Sequence, residues 1–462
     1  MLFITVMFAE AAYAFSYSTC LGERLKWDSN TVTLRASPVS FPVGPWLTAL
    51  TTAVARFNLN PSQFRYNLVA DTGGVRRDNG QNEVWGSTDS KVLKGAPAIA
   101  YTQWTCFWFF GDHVHMDEVD VIFDYRSPWQ WSSSELKTNL SNYGGTLRPL
   151  HTTAIHELGH GLKLNHVNTE YNVMGSDPTH IHVNGATAQA YLGEDATDGA
   201  VFLYGTSSPA REDVGVVHWK YSGASGEYSV HTMTQLFDST GNVLSNFLDG
   251  GETRYRVAAG QTVQAEFTYE NNGANRQNNV AVGFYISTND TITTADQRIG
   301  GITLNLGRGD VFTTRATVTI PTTLPFDRDF WLGAIVDEAG AIDEILESNN
   351  ATYIPIRTIG TRNMADLVPI ESDCTVVIRV RNVGGVFAPP SITTVDFFEF
   401  GSVNVPTPGI LPENFVDLGP IQIPPGCFNP DCGFRITVDS SNSVDEGPIG
   451  ETNNSIAIGC IG

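Results

Sequence analysis

At 462 residues the chain has room for two to four domains, and 16% charged against 11% aromatic residues excludes an intrinsically disordered chain. A formal net charge of −22 sets it against nucleic acid and anionic membranes as partners, and suits solubility, an extracellular setting or cation binding. One short apolar segment lies at the start, too short and too broken to span a bilayer as a helix, and no other stretch is a candidate.

That segment, Leu2 to Ala14, ends in Ala12-Tyr13-Ala14 and reads as a signal peptide (residues 1–14) cleaved before Phe15. Glu10 interrupts it and no Lys or Arg precedes it. Six cysteines fit export: Cys20 and Cys106 fall in the first half, while Cys374, Cys427, Cys432 and Cys460 cluster at the far end. The split implies one bridge and then two, with the connectivity of the last four open. The aromatic run Trp104, Phe107, Trp108, Phe109 and Phe110 reads as core packing or a hairpin tip, with surface contact as the sharper alternative. His113 and His115 alternate as residues on one face of a strand.

The most informative run is His156-Glu157-Leu158-Gly159-His160-Gly161-Leu162-Lys163-Leu164-Asn165-His166, followed by Met174 in Tyr171-Asn172-Val173-Met174-Gly175. A helix turns about 100° per residue, so His156 and His160 share one face and offer two imidazoles to one Zn²⁺. Glu157, beside the first ligand, reaches a water at the open position as general base. A catalytic zinc needs a third protein ligand. His166 lies about 120° off the ligand face if the helix continues. The chain must therefore turn near Gly161 and return His166 from a loop. Met174 is expected as a floor under the metal.

These residues resemble the metzincin signature H-E-x-x-H-x-x-G-x-x-H with its Met-turn, and among metzincins are most similar to matrixins. The resemblance implies an α+β catalytic domain over residues 15–206 and zinc-dependent peptide hydrolysis. Zinc would be held by His156, His160 and His166, with Glu157 taking the water proton and returning it to the leaving amine. Ala98-Ile99-Ala100-Tyr101-Thr102 would be the edge strand that pairs with substrate backbone, Asp117–Phe123 its neighbour, and Leu192–Gly205 would contain the closing helix. Thr179–Val183 would wall the pocket just past the scissile bond; His180 and His182 read as exposed loop histidines, with a second metal site as the weaker alternative.

The chain also departs from that pattern. Lys163 stands where the family has Gly at a turn; a left-handed Lys costs about 1–2 kcal/mol, so Asn165 is expected to take that conformation instead. Asp195 is followed by Ala196 rather than a second acid, no Tyr lies two residues after Met174, and no cysteine-switch segment is found. Glu170 is the nearest substitute ligand should His166 fail to return.

After the linker-like Thr206-Ser207-Ser208-Pro209 the chain becomes short alternating runs between Asn/Gly turns, the pattern of antiparallel sandwiches. Val336-Asp337, Ile342-Asp343-Glu344 and Glu347-Ser348-Asn349-Asn350 recur as Val438-Asp439, Val444-Asp445-Glu446 and Glu451-Thr452-Asn453-Asn454. Asn272-Gly273 recurs in Asn382-Val383-Gly384. The repeat resembles CARDB-type Ig-like sandwiches, one over residues 213–358 and one over 364–462. Its acids either bind structural Ca²⁺ or cap turns, the second reading being favoured.

The expectation is thus a multidomain protein: an α+β metzincin catalytic domain followed by two all-β Ig-like sandwiches. It would be a secreted or cell-surface zinc metalloendopeptidase acting on protein or peptide substrates, with an extracellular-matrix or cell-surface ligand for the sandwiches. The alternative is a non-catalytic adhesin or binding protein with an inactive metzincin domain.

Overall fold

The computed structural model describes residues 15–41, 44–70, 73–126, 128–359, 367–372, 377–427, 431–446 and 450–461. The expected signal segment and Cys374 lie outside them. The chain is mostly β, in several sheets.

The first unit is a five-stranded sheet with three long helices and a single-turn helix at Ser90–Leu93. Strands β1 (Thr31–Ala36), β2 (Arg65–Ala70), β3 (Glu83–Ser87), β4 (Ala98–Trp108) and β5 (Asp112–Asp124) lie in the spatial order β2-β1-β3-β5-β4. All neighbours are parallel except the last pair, which makes β4 an antiparallel edge. Interior β5 buries both faces through Val119, Val121, Ile122 and Phe123, as an enclosed strand must. Helix α1 (Pro45–Phe57) opens with a proline in its first turn and buries Ala49, Leu50, Ala53, Val54 and Phe57, one stripe at helical spacing. Helix α2 (Leu150–His160) is buried almost all round, and α3 (Glu194–Tyr204) closes the unit. At the β4–β5 tip Trp108, Phe109 and Phe110 stand in solvent, Phe110 at 91% exposure, so the aromatic run is a hairpin tip and not core.

The next unit packs a sheet of Val214–Val217, Thr262–Asn271, Leu236–Asp238 and Val311–Thr319 against six strands. Those run Asn246–Asp249, Glu252–Ala258, Ala351–Ile359, Asp329–Val336, Gln277–Ser287 and Gln297–Leu306. A hairpin, Trp219–Ser225 with Tyr228–Met233, belongs to neither sheet. The last unit faces Leu367–Ser372, Ile378–Asn382 and Phe415–Leu418 with Ser402–Thr407, Ser391–Asp396, Asp431–Thr437 and Ser455–Ile461. Disulfides join Cys20 to Cys106 and Cys427 to Cys432.

The two β units repeat the same polar devices. Asp337 accepts from the N–H groups of Ala341 and Ile342 (3.1 and 2.8 Å), and Asp439 from those of Ser443 and Val444 (3.1 and 2.8 Å). Glu344 accepts from Val214 N–H at 2.6 Å and Glu446 from Leu367 N–H at 2.5 Å, each fastening the first strand of its unit to the closing loop. These repeated carboxylates are engaged as backbone acceptors, the turn-capping role. The asparagine register differs by one from that read in sequence. Asn271 pairs with Asn382: each accepts from the N–H two residues on, at 2.9 Å, and donates to a carbonyl across the unit at 3.0 Å.

The first two units share a core. Leu140, Tyr143, Tyr171, Ile181 and Val183 from one pack with Val217, Trp219, Ile335 and Tyr353 from the other.

Candidate metal centre

Helix α2 ends at His160, and Gly161 caps it in ordinary helical geometry (φ −63°, ψ −18°). The N–H groups of Leu162 and Lys163 donate to the carbonyls of Gly159 and His160 at 3.0 and 2.8 Å, reversing the chain. Lys163, at φ +65°, takes the left-handed conformation expected of Asn165. The reason is visible in its contacts. Lys163 Nζ donates to Thr102 Oγ1 at 2.7 Å and lies 3.7 Å above the Trp104 ring. Asn165 is held otherwise: its N–H donates to Ser16 O at 2.8 Å and its side chain accepts from Ser18 Oγ at 3.0 Å.

The reversal returns His166 to the face of α2. His160 Nε2 lies 3.1 Å from His156 Nε2 and 3.0 Å from His166 Nε2. The rings are oriented from behind. His156 Nδ1 donates to Val173 O and His160 Nδ1 to Leu164 O, both at 2.7 Å, while His166 Nδ1 lies 3.4 Å from Glu227 Oε2. A neutral imidazole donating through Nδ1 presents a lone pair at Nε2. Burial pushes the pKa of both His156 and His160 down, so protons do not relieve the crowding. Convergent lone pairs at this spacing repel unless an electrophile lies between them. Tetrahedral zinc, at about 2.0–2.1 Å from each nitrogen, sets them about 3.3–3.4 Å apart, close to the spacing found. The donor set therefore fits zinc.

Met174 is buried at the back of this helix, where a β-carbon on Gly159 would collide with its sulfur. The carbonyl that fixes His156 belongs to the preceding residue, so the turn at Met174 both supports α2 and aims a ring. Glu157 is buried with Oε2 lacking any hydrogen-bond partner, and burial, reinforced by Asp177, pushes its pKa up to about 8. A cation among the imidazoles would oppose that shift and favour the carboxylate.

Glu157 and the three histidines line a cleft of about 480 Å³ whose wall includes Ala98, Ile99 and Ala100 of edge strand β4. Tyr101 and Thr102 continue that strand; Tyr101 Oη donates to Asp78 at 2.9 Å and Thr102 receives Lys163.

Three features of the cleft escaped the sequence. Arg148 donates to both oxygens of Asp177 at 2.6 and 2.7 Å, and Thr153 donates to the same carboxylate beside His156. Burial raises the Asp177 pKa, but Arg148, His156 and these hydrogen bonds outweigh it, leaving the group below its ordinary value. Tyr228, from the free-standing hairpin, sets its ring 4.3 Å from that of His166 and lines the cleft. The hairpin is seated by Asn168, which donates to Gly226 O at 2.8 Å. No local pattern marks Tyr228, because the contact depends on tertiary packing.

One expectation is corrected. His180 and His182 are not exposed loop residues but are buried at 0% and 2% exposure, beneath the neighbouring β unit.

No protein-family model and no curated relative matches the chain. Among solved structures, a CARDB domain from Pyrococcus furiosus in complex with di-metal ions is similar at a TM-score of 0.19 and 16% identity, covering 32% of this chain and 90% of that one. The CBD12 structure from CALX1.2 is similar at a TM-score of 0.21 and 10% identity, covering 49% of this chain and 98% of that one. Likeness of this degree assigns no family and no activity.

Proposed function

We propose that the chain is a zinc-dependent metalloendopeptidase of the metzincin type, exported from the cell, whose two β units are CARDB-type sandwiches. The observation that carries this reading is the convergence of three imidazole Nε2 atoms beside a buried, partnerless glutamate oxygen in an open cleft. His156, His160 and His166 would hold the zinc. When bound, zinc supplies an acidified water and polarises the scissile carbonyl. Glu157 takes the proton of the attacking water and delivers it to the leaving amine. Edge strand β4 holds the substrate extended by backbone pairing along Ala98–Thr102. Tyr228 and Arg148 also line the cleft, where they limit substrate position. The two disulfides support an oxidising, extracellular setting.

The test is hydrolysis of casein or gelatin by the full chain, beside Glu157→Ala and a chelator-treated sample. Activity that disappears in both, with zinc still bound in the variant, is the expected result. Turnover retained by Glu157→Ala would remove Glu157 from the mechanism. A protein with neither zinc nor turnover would instead be the adhesin-like alternative, for which the exposed aromatic tip at Trp108 and Phe110 is the natural contact surface.

A further inference from the structure

We infer that a second divalent cation, ligated by His180, Glu194 and Glu270, fastens the first β sandwich to the unit that carries the histidine triad. The three residues come from separate elements: His180 from the segment after Met174, Glu194 from the first turn of α3, and Glu270 from the long strand Thr262–Asn271 of the sandwich. All three are fully buried, and one ligand atom from each lies within 4.8 Å of the others. His180 Nε2 hydrogen-bonds Glu194 Oε1, and His182 Nε2 lies 2.8 Å from Glu270 Oε2. The remaining oxygens, Glu194 Oε2 and Glu270 Oε1, have no hydrogen-bond partner.

This is an uncompensated arrangement. Among the described residues the ion-pair partners of Glu194 and Glu270 are histidines, with no Lys or Arg among them. Two carboxylates in a dry interface leave a desolvation penalty unmatched unless a proton or a cation joins them. Glycine lets the backbone approach the cluster closely at two positions. A β-carbon on Gly193 would press to 2.8 Å from His180 Cε1, and one on Gly215 would lie 3.3 Å from both Glu270 Oε2 and His182 Nε2. Asn272 fixes the two glutamates relative to one another, accepting from the Glu194 N–H and donating to Glu270 Oε2 at 3.4 Å. One imidazole with two carboxylates is a donor set for zinc or a similar d-block ion rather than for calcium, which takes oxygen ligands. The site stands apart from the triad and does not depend on peptidase activity.

The experiment is zinc stoichiometry of the full chain, by elemental analysis after zinc loading and gel filtration. Two zinc ions are expected for the wild type, one for Glu270→Gln, and one for the double variant His156→Ala/His160→Ala. On the wild type itself, a strong chelator should remove zinc in two phases, the open-cleft ion first and the buried one much more slowly. A single equivalent, released in one phase and absent from the His156→Ala/His160→Ala variant, would overturn the inference and leave a proton shared between the glutamates. Two equivalents retained by Glu270→Gln would overturn it equally, since the second ion would then lie elsewhere.

Discussion

Lys163 occupies a backbone conformation that costs a side-chain-bearing residue about 1–2 kcal/mol, and two contacts offset that cost. Its Nζ lies 3.7 Å above Trp104, whose ring is 47% exposed, which places the cation–π contribution near the lower end, about 0.5–1 kcal/mol. The hydrogen bond to Thr102 adds about 1 kcal/mol. Lys163→Ala keeps the strained φ and loses both contacts, so it should destabilise by about 2 kcal/mol. Lys163→Gly loses the same contacts but removes the strain, less about 0.5–1 kcal/mol for the freer unfolded chain. It should therefore fall within about 1 kcal/mol of the wild type and above the alanine variant. Urea denaturation of the full chain followed by tryptophan fluorescence gives the order directly. Should the alanine variant prove as stable as the glycine variant, the strain of the left-handed turn would be no larger than the entropic term of about 0.5–1 kcal/mol, and a cost of about 1–2 kcal/mol at Lys163 would be refuted.

Burial, with the Glu118 carboxylate beside it, pushes the Asp120 pKa from 3.8 up to about 9. The folded chain keeps a proton that the unfolded chain releases, so this contribution is full below pH 3.8 and is lost as pH rises through about 9. Asp120→Asn should flatten the decline in urea midpoint between about pH 5 and about pH 9; an equally steep fall in the variant would contradict it. Tyr228 packs on His166, so Tyr228→Ala should weaken zinc binding about 10-fold, measured by competition with a chromogenic chelator. Unchanged zinc affinity would mean that the hairpin merely rests against the cleft.

What was legible in the sequence is what depends on short-range geometry. His156 and His160 are one helical turn apart, and the Gly161 turn that returns His166 follows from the angular mismatch alone. The alternation of the later strands announces sheets for the same reason, since period 2 is local. What was not legible depends on distant chain. His180 and His182 look like loop residues until Glu270 arrives over them from the sandwich. Lys163 looks like a defect until Thr102 and Trp104 of edge strand β4 are placed beneath its ammonium. The one-residue shift between Asn272 and Asn271 reflects a repeat defined by hydrogen bonding, which tolerates sequence drift that the eye follows instead.

The same reasoning bears on where one functional unit ends. Thr206–Pro209 has the composition of a linker, yet the polypeptide on either side of it is not independent. Lys137, nearly buried at 10% side-chain exposure, finds Glu252, Asp290 and Tyr353, and all three belong to the sandwich. Without them its charge would need water that the shared apolar core around Tyr143 and Trp219 excludes. The hairpin that carries Tyr228 to His166 begins at Trp219, inside that same core. An element that both closes the core and lines the cleft couples the two properties: whatever loosens the sandwich from the shared core also displaces the wall of the histidine cleft. The first sandwich is on this account part of the cleft's construction rather than a spacer behind it, whereas the second, with its own core around Phe397 and Phe434, supplies none of the residues lining the cleft among those described.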